Sequence, residues 1–136
     1  MKDKAFVDTN ILVYLYSEDE VEKRDKSRNI FETYECVTST QALNELSNVM
    51  TKKFKINPSE VSAVVDEIAE NCQVSAISLG TIKTALDITE RYKYSYYDSL
   101  IISSALENDC NLLLTEDMHD GQNIEPNLTI KNIYRV

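Results

Sequence analysis

Short apolar runs alternate with amphipathic stripes along almost the whole chain, and this alternation constrains the fold more than any other feature. The runs Ala5–Val7, Cys36–Val37 and Leu112–Leu114 are brief and bounded by polar residues, which is how buried strands read. Between them, apolar residues return every three or four positions, the period of a helix face. Such alternation implies a parallel sheet covered on both faces. Only two glycines and two prolines in 136 residues are too few for a turn-rich β-sandwich and favour helices. A chain of this length is expected to form one domain, residues 1–136. Its core should need neither disulfides nor a structural metal.

Taken in order, residues 5–8 read as the first strand and Asn10–Tyr16 as a short helix. Val21–Tyr34 follows as a helix with Ile30, Phe31 and Tyr34 inward and the charged run Glu22–Arg28 in solvent. Glu35–Thr38 is the second strand, and Ser39-Thr40 caps a helix over Gln41–Phe54. Asn57-Pro58-Ser59-Glu60 starts another helix, with proline near its first turn. Its stripe is Val61, Val64, Val65, Ile68 and Ala69. Val74–Ile77 reads as a short strand. Ser78 caps a helix striped by Ile82, Ala85, Leu86, Thr89 and Tyr92. Tyr97–Asn108 is a helix, Leu112–Leu114 a strand, Thr115–Asn127 a loop and Thr129–Tyr134 the last strand.

Several classes of function are disfavoured. No apolar run approaches the roughly 20 residues of a membrane span. The N-terminus is strand-like and lacks the apolar region of a signal peptide, so a cytoplasmic protein without membrane attachment is expected. Cys36, Cys72 and Cys110 lie far apart, no CxxC is present, and His119 is the only histidine. That argues against a zinc site and for buried, reduced thiols. Ser–His and Cys–His nucleophilic catalysis is disfavoured for the same reason. A net charge of −9 counts against a purely electrostatic nucleic-acid binder. It suits a basic partner, or a site that collects acids for a cation.

Four acids stand out from the pattern. Asp8 ends the first strand, where open α/β sheets bind ligands, although an Asp there also caps the following helix well. With about 100° per residue, Glu45 falls at the border of the stripe Ala42, Leu43, Leu46, Val49 and Met50. Asp98 lies within the stripe Ile101, Ile102, Ala105 and Leu106, at the first turn of its helix. The dipole there favours an acid, but an inward carboxylate also needs a partner or a cation. Thr115-Glu116-Asp117 carries a third strand out into acid. In a doubly wound sheet these positions converge at one edge. Carboxylates crowded together repel and bind protons. A hard divalent cation such as Mg²⁺ or Mn²⁺ relieves that crowding through oxygen ligands. A metal so held can activate water against a phosphodiester.

Phe6-Val7-Asp8-Thr9-Asn10, Glu45, Tyr97-Asp98 opening an apolar helix and Leu114-Thr115-Glu116-Asp117 together resemble the PIN domain. Order, spacing and length are most similar to the VapC-type toxins of prokaryotic toxin–antitoxin pairs, over essentially the whole chain. The resemblance implies a three-layer α/β/α fold around a mainly parallel sheet of four to five strands. It implies a Mg²⁺-dependent endoribonuclease with Asp8, Glu45, Asp98 and Asp117 as the acidic quartet. Thr9, Asn10, Thr115 and Glu116 are implied as supporting residues that orient carboxylates or water. Glu116 and Asp120 also compete with Asp117 for the fourth acidic position. A homodimer is implied too, as is a small antitoxin whose tail blocks the site.

Two basic clusters are candidate RNA contacts: Lys52, Lys53 and Lys55 around Phe54, and Arg91 and Lys93 among Tyr92, Tyr94, Tyr96 and Tyr97. Cations beside aromatic rings hold phosphates and stack bases. Against this stand a solvated helix end for the lysines and core or dimer packing for the tyrosines. Two other functions compete with the nuclease. One is a PIN-fold binding module without activity. The other is a phospho-aspartate phosphatase or receiver. The phosphatase pattern wants a second Asp two residues after the first, where this chain has Asn10. A receiver wants a lysine after a late strand, where this chain has Thr115.

Overall fold

In the computed structural model, which describes residues 2–135, six strands form a single sheet in the order β3-β2-β1-β4-β6-β5. The elements are β1 (Lys4–Val7), α1 (Thr9–Tyr14), α2 (Val21–Thr33), β2 (Glu35–Ser39), α3 (Thr40–Asn48), α4 (Pro58–Asn71), β3 (Gln73–Ser75), α5 (Leu79–Tyr92), α6 (Tyr96–Glu107), β4 (Leu112–Leu114), β5 (Asn123–Ile124) and β6 (Leu128–Lys131). Helices flank the sheet in a three-layer α/β/α arrangement, as the alternation predicts. Five strands are parallel; two-residue β5 pairs antiparallel with β6.

The strand order places the site. From β1 the chain winds outward through β2 to β3, then returns to lay β4 on the other side of β1. The direction of winding therefore reverses between β1 and β4, and their carboxyl ends form the crevice where such sheets bind ligands. Both strands are buried: Phe6, Val7, Leu113 and Leu114 have no exposed surface. Apolar side chains on both faces explain why these runs show no alternation.

Local chemistry fixes the helix starts. Asp8 caps α1, Ser39 caps α3 by accepting from Ala42 N–H, and Asn57 caps α4 with Pro58 in the first turn. Ser78 and Thr81 make a reciprocal capping box on α5, as the residues flanking that helix allow.

The sheet has six strands where four to five were expected, the last of them ends at Lys131 instead of Tyr134, and three further segments depart from the sequence reading. The helix expected over Gln41–Phe54 is α-helical only to Asn48 and then widens into a π turn, Val49–Lys53. There Ser47 and Thr51 hydroxyls donate back to Leu43 and Ser47 carbonyls, a competition that bends helices. On α5 the buried face is Thr81, Ala85 and Ile88, while Leu86 is 55% exposed; the expected stripe was rotated from the true one. The loop after β4 contains β5, whose two residues are too few to show a strand period. The three cysteines are buried and free. Among the described residues, no helix is long and apolar enough to cross a membrane.

Ser39→Ala would leave the α3 start without its cap. A loss of about 1 kcal/mol, within the usual range for such caps, is expected in urea unfolding.

Candidate active site

Asp8 is held where β1 meets β4. Its backbone N–H donates to Leu114 O at 3.0 Å, continuing the parallel ladder. One carboxylate oxygen accepts from Thr9 N–H at 2.7 Å, and the other from the Thr115 hydroxyl at 2.8 Å. Capping is therefore part of its role, and the residue is only 6% exposed. Burial pushes the Asp8 carboxyl up to about 7; the Thr115 and Thr9 hydrogen bonds oppose this, and the nearby charges of Asp98 and Glu45 add to it.

The other acids arrive from three elements. Glu45, on α3, accepts from the Thr9 hydroxyl at 3.1 Å. Burial raises its carboxyl, the Thr9 bond opposes this, and Asp98 adds to it. Asp98 sits in the first turn of α6, capped by Ser95. Burial raises it as well, against the Ser95 hydrogen bond, and Asp117 contributes. Asp117 follows β4; it accepts from Asn10 Nδ2 at 2.8 Å, and its N–H donates to the Thr115 hydroxyl at 3.2 Å. Thr115 thus touches two of the four acids from a fully buried position.

All four carboxylates line one open pocket of about 370 Å³, with Thr9, Asn10, Val13, Tyr14, Val49, Lys53 and Phe54. Of the three acids competing after β4, the pocket takes Asp117 alone. Glu116 is turned away: Lys23 pairs with it and Tyr14 donates to it at 2.7 Å. Glu116, expected among the supporting residues, thus lies outside the pocket, paired with a lysine from α2 and held by the pocket residue Tyr14. Asp120 accepts from Asn132 N–H at 2.8 Å.

The basic candidates divide in the same way. Lys53 lines the pocket; Lys52 and Lys55 are exposed and do not. Arg91 is paired with Glu125 at 2.7 Å and Asp87 at 3.2 Å, so its charge is already answered. Lys93 terminates α5 in a left-handed conformation, φ 65°, and is outside the pocket. The hydroxyls of Tyr92 and Tyr94 accept from the N–H groups of Glu125 and His119. They pin the β4–β6 connection.

Sequence reasoning missed Val13, Tyr14 and Val49. Helical spacing carried a signal for them. Val13 and Tyr14 stand four residues after Thr9 and Asn10, and Val49 stands four after Glu45, on the same helix faces.

An all-oxygen donor set suits a hard divalent cation. Asn10 Oδ1 is also buried without a hydrogen-bond partner, which calls for a donor such as an ion's water. Among the described residues no three His, Cys, Asp or Glu side chains are gathered tightly enough to hold an ion unaided. A magnesium ion that keeps several waters does not require that closeness. The residues therefore fit such an ion, with water completing its shell.

The family model of the PIN domain matches residues 5–119. The chain belongs to the PIN domain family. No curated protein matches it. Solved structures show the same fold at low identity. A toxin–antitoxin complex from Klebsiella pneumoniae is 21% identical, with 97% of this chain and 99% of that one covered and a TM-score of 0.72. VapC20 of Mycobacterium tuberculosis, a sarcin–ricin loop cleaving toxin, is 14% identical over 80% and 86% of the two chains, with a TM-score of 0.67. VapBC2 of Rickettsia felis, bound to a DNA fragment from its promoter, is 19% identical over 95% and 98%, with a TM-score of 0.65.

The raised carboxyls carry a pH signature. Asp8, Glu45 and Asp98 all hold protons more tightly folded than unfolded. Their stabilising contribution is present at low pH and is lost as pH rises. Without divalent ions, the melting temperature is expected to fall between about pH 4 and pH 8, the window set by Asp8. Asp98→Asn should raise the metal-free melting temperature at pH 8 by a few degrees, about 1 kcal/mol, and change it little at pH 4. Differential scanning calorimetry checks both; a large loss of stability in Asp98→Asn would overturn the crowding account.

Proposed function

We propose that the protein is a Mg²⁺-dependent endoribonuclease, and that it is the toxin of a type II toxin–antitoxin pair. The observation that carries this reading is the convergence of Asp8, Glu45, Asp98 and Asp117 on one crevice at the β1/β4 reversal. Asp8, Asp98, Asp117 and Glu45 would hold the ion, with Mn²⁺ as a substitute. When bound, such an ion supplies a Lewis acid and an activated water.

The chain's own residues prepare the site. Thr115 and Thr9 N–H fix both oxygens of Asp8 at the wall of the crevice. Thr9 orients Glu45, and Asn10 orients Asp117. Lys53 stands on the pocket wall beside Phe54, 5.6 Å from its ring centroid, where a phosphate and a base would lie side by side. The reaction is in-line attack of water on an RNA phosphodiester, without a covalent intermediate. RNA is preferred to DNA on the family likeness. One structural neighbour is itself a sarcin–ricin loop cleaving toxin.

The partner assignments rest on two surfaces. A groove of about 470 Å³ adjoins the acid pocket and shares Val13, Tyr14 and Phe54 with it; Met50 and Ile56 add to its apolar wall, and Glu18, Asp19 and Glu20 form an acidic rim. An antitoxin tail with an apolar anchor and a basic side chain would fit both. Leu79 and Leu86, 70% and 55% exposed, stand seven residues apart on α5, and Tyr97, 57% exposed, stands on α6 packed beside it. This face suits a homodimer.

Purified protein incubated with total RNA should cleave it in Mg²⁺ and stop in EDTA. Asp8→Asn should lower the rate by at least about 100-fold, a magnitude typical of losing a key electrostatic group, while remaining folded. Cleavage that survives both treatments would refute the reading. For the dimer, light scattering should show two copies for the wild type and one for Leu86→Glu.

A further inference from the structure

The cysteines group at the amino edge of the sheet, opposite the acids. Cys36 is the second residue of β2, and Cys72 immediately precedes β3. These strands are parallel neighbours in the register Val37↔Gln73, Thr38↔Val74, Ser39↔Ser75. One step back along both chains sets Cys36 beside Cys72, whose backbone is already extended, φ −131° and ψ 148°. Neighbouring strands run about 4.8 Å apart, inside the Cα separations of roughly 4.4–6.8 Å that a disulfide spans. Side chains level with each other on parallel strands leave the sheet on the same face.

The side chains agree with that placement. The Cys36 thiol faces the end of α2, donating towards Ile30 and Tyr34 carbonyls at 3.7 and 3.6 Å. The neighbouring Cys36 thiol and burial both lift Cys72 above its ordinary value, while the Cys72 thiol draws Cys36 below its own. Cys36 therefore has the more readily ionised thiol of the pair and a second thiol beside it. Cys110 has neither: it precedes β4, which is separated from β2 by β1, and two strand spacings are too far for a bond. Burial pushes its thiol up to about 12. Cys36 and Cys72 keep 6% and 8% of their surface exposed, against 3% for Cys110.

We propose that Cys36 and Cys72 are an oxidant-responsive pair that closes into a reversible disulfide between β2 and the start of β3. Hydrogen peroxide is a sufficient oxidant. The Cys36 thiolate attacks one peroxide oxygen, the O–O bond breaks, and with one proton taken up a sulfenic acid and water result. The Cys72 sulfur then attacks the Cys36 sulfur and the S–O bond breaks. The thiol proton leaves with the hydroxyl group as a second water. Overall, two thiols and one peroxide give one disulfide and two waters. A dithiol reductant reverses the step by exchange.

The test is thiol titration and non-reducing peptide mapping of the folded protein before and after hydrogen peroxide. Three thiols should fall to one, with a Cys36–Cys72 peptide in monomeric protein and restoration by dithiothreitol. Cys110→Ser should still form the bond; Cys36→Ser and Cys72→Ser should each fail to form it. Mapping of the wild type needs no variant, so a substitution that prevents folding leaves the test intact. Three thiols persisting in folded, peroxide-treated protein would overturn the proposal. So would a bond to Cys110, or Cys36–Cys72 pairing no more frequent than in urea-unfolded chain.

Discussion

The hydrogen bond from Thr115 to Asp8 is the interaction on which the arrangement of the acids depends. It joins residues 107 positions apart across the place where the sheet's winding reverses. The same Thr115 oxygen accepts from the Asp117 N–H, so one buried hydroxyl sets the first and last acids in register. Asp8 N–H to Leu114 O adds a backbone tie at the same level. Strand pairing holds the two chain segments, and Thr115 converts that pairing into a fixed orientation of carboxylates. A hydroxyl suits the role because it donates and accepts at once.

That orientation works against the electrostatics of the folded chain. Asp8, Glu45 and Asp98 are each raised first by burial and then by one another or by Asp117. The apolar strands supply the opposing free energy, since β1 and β4 bury Phe6, Val7, Leu113 and Leu114 completely. Destabilising polar clusters survive in proteins where the surrounding core over-determines their position. The caps contribute as well. Ser39 and Ser95 fix the starts of the helices that carry Glu45 and Asp98, so each acid is placed by a local rule as well as by packing.

Those local rules explain what could be read from the sequence. Asp8 after an apolar run, Glu45 at a stripe's border and Asp98 inside a stripe all conflict with plain amphipathic patterning, and each conflict is visible within about ten residues. Which of Glu116, Asp117 and Asp120 lines the pocket was less visible: the sequence preferred Asp117 but left the other two in competition. The choice is decided by Lys23, Asn10 and Asn132, and for Glu116 and Asp117 those partners are distant in sequence. Helix α5 failed for a different reason. Leu86 and Ile88 are both apolar, and only the packing of α5 on α6 decides that Ile88 turns inward. The π turn after Asn48 was hidden because Ser47 and Thr51 are equally compatible with a regular helix until their hydroxyls commit to backbone carbonyls.

The distribution of positive charge sharpens the chemistry of the proposed nuclease. Lys23 is committed to Glu116 and stacks near the Tyr14 and Tyr134 rings; Arg91 is committed to Glu125 and Asp87. Lys53 is the cation on the pocket wall. With a net charge of −9, the surface as a whole repels a polyanion, and one lysine does not reverse that. On the nuclease reading, attraction for a phosphate must therefore arise mainly at the acids themselves, through the divalent charge they gather. Loss of the ion would then weaken substrate binding as well as chemistry. The same acids would draw in a basic side chain from a partner's tail when no ion holds them. Substrate and inhibitor would thus compete for one patch of negative charge, in opposite ways: the RNA by way of the cation, the peptide by replacing it.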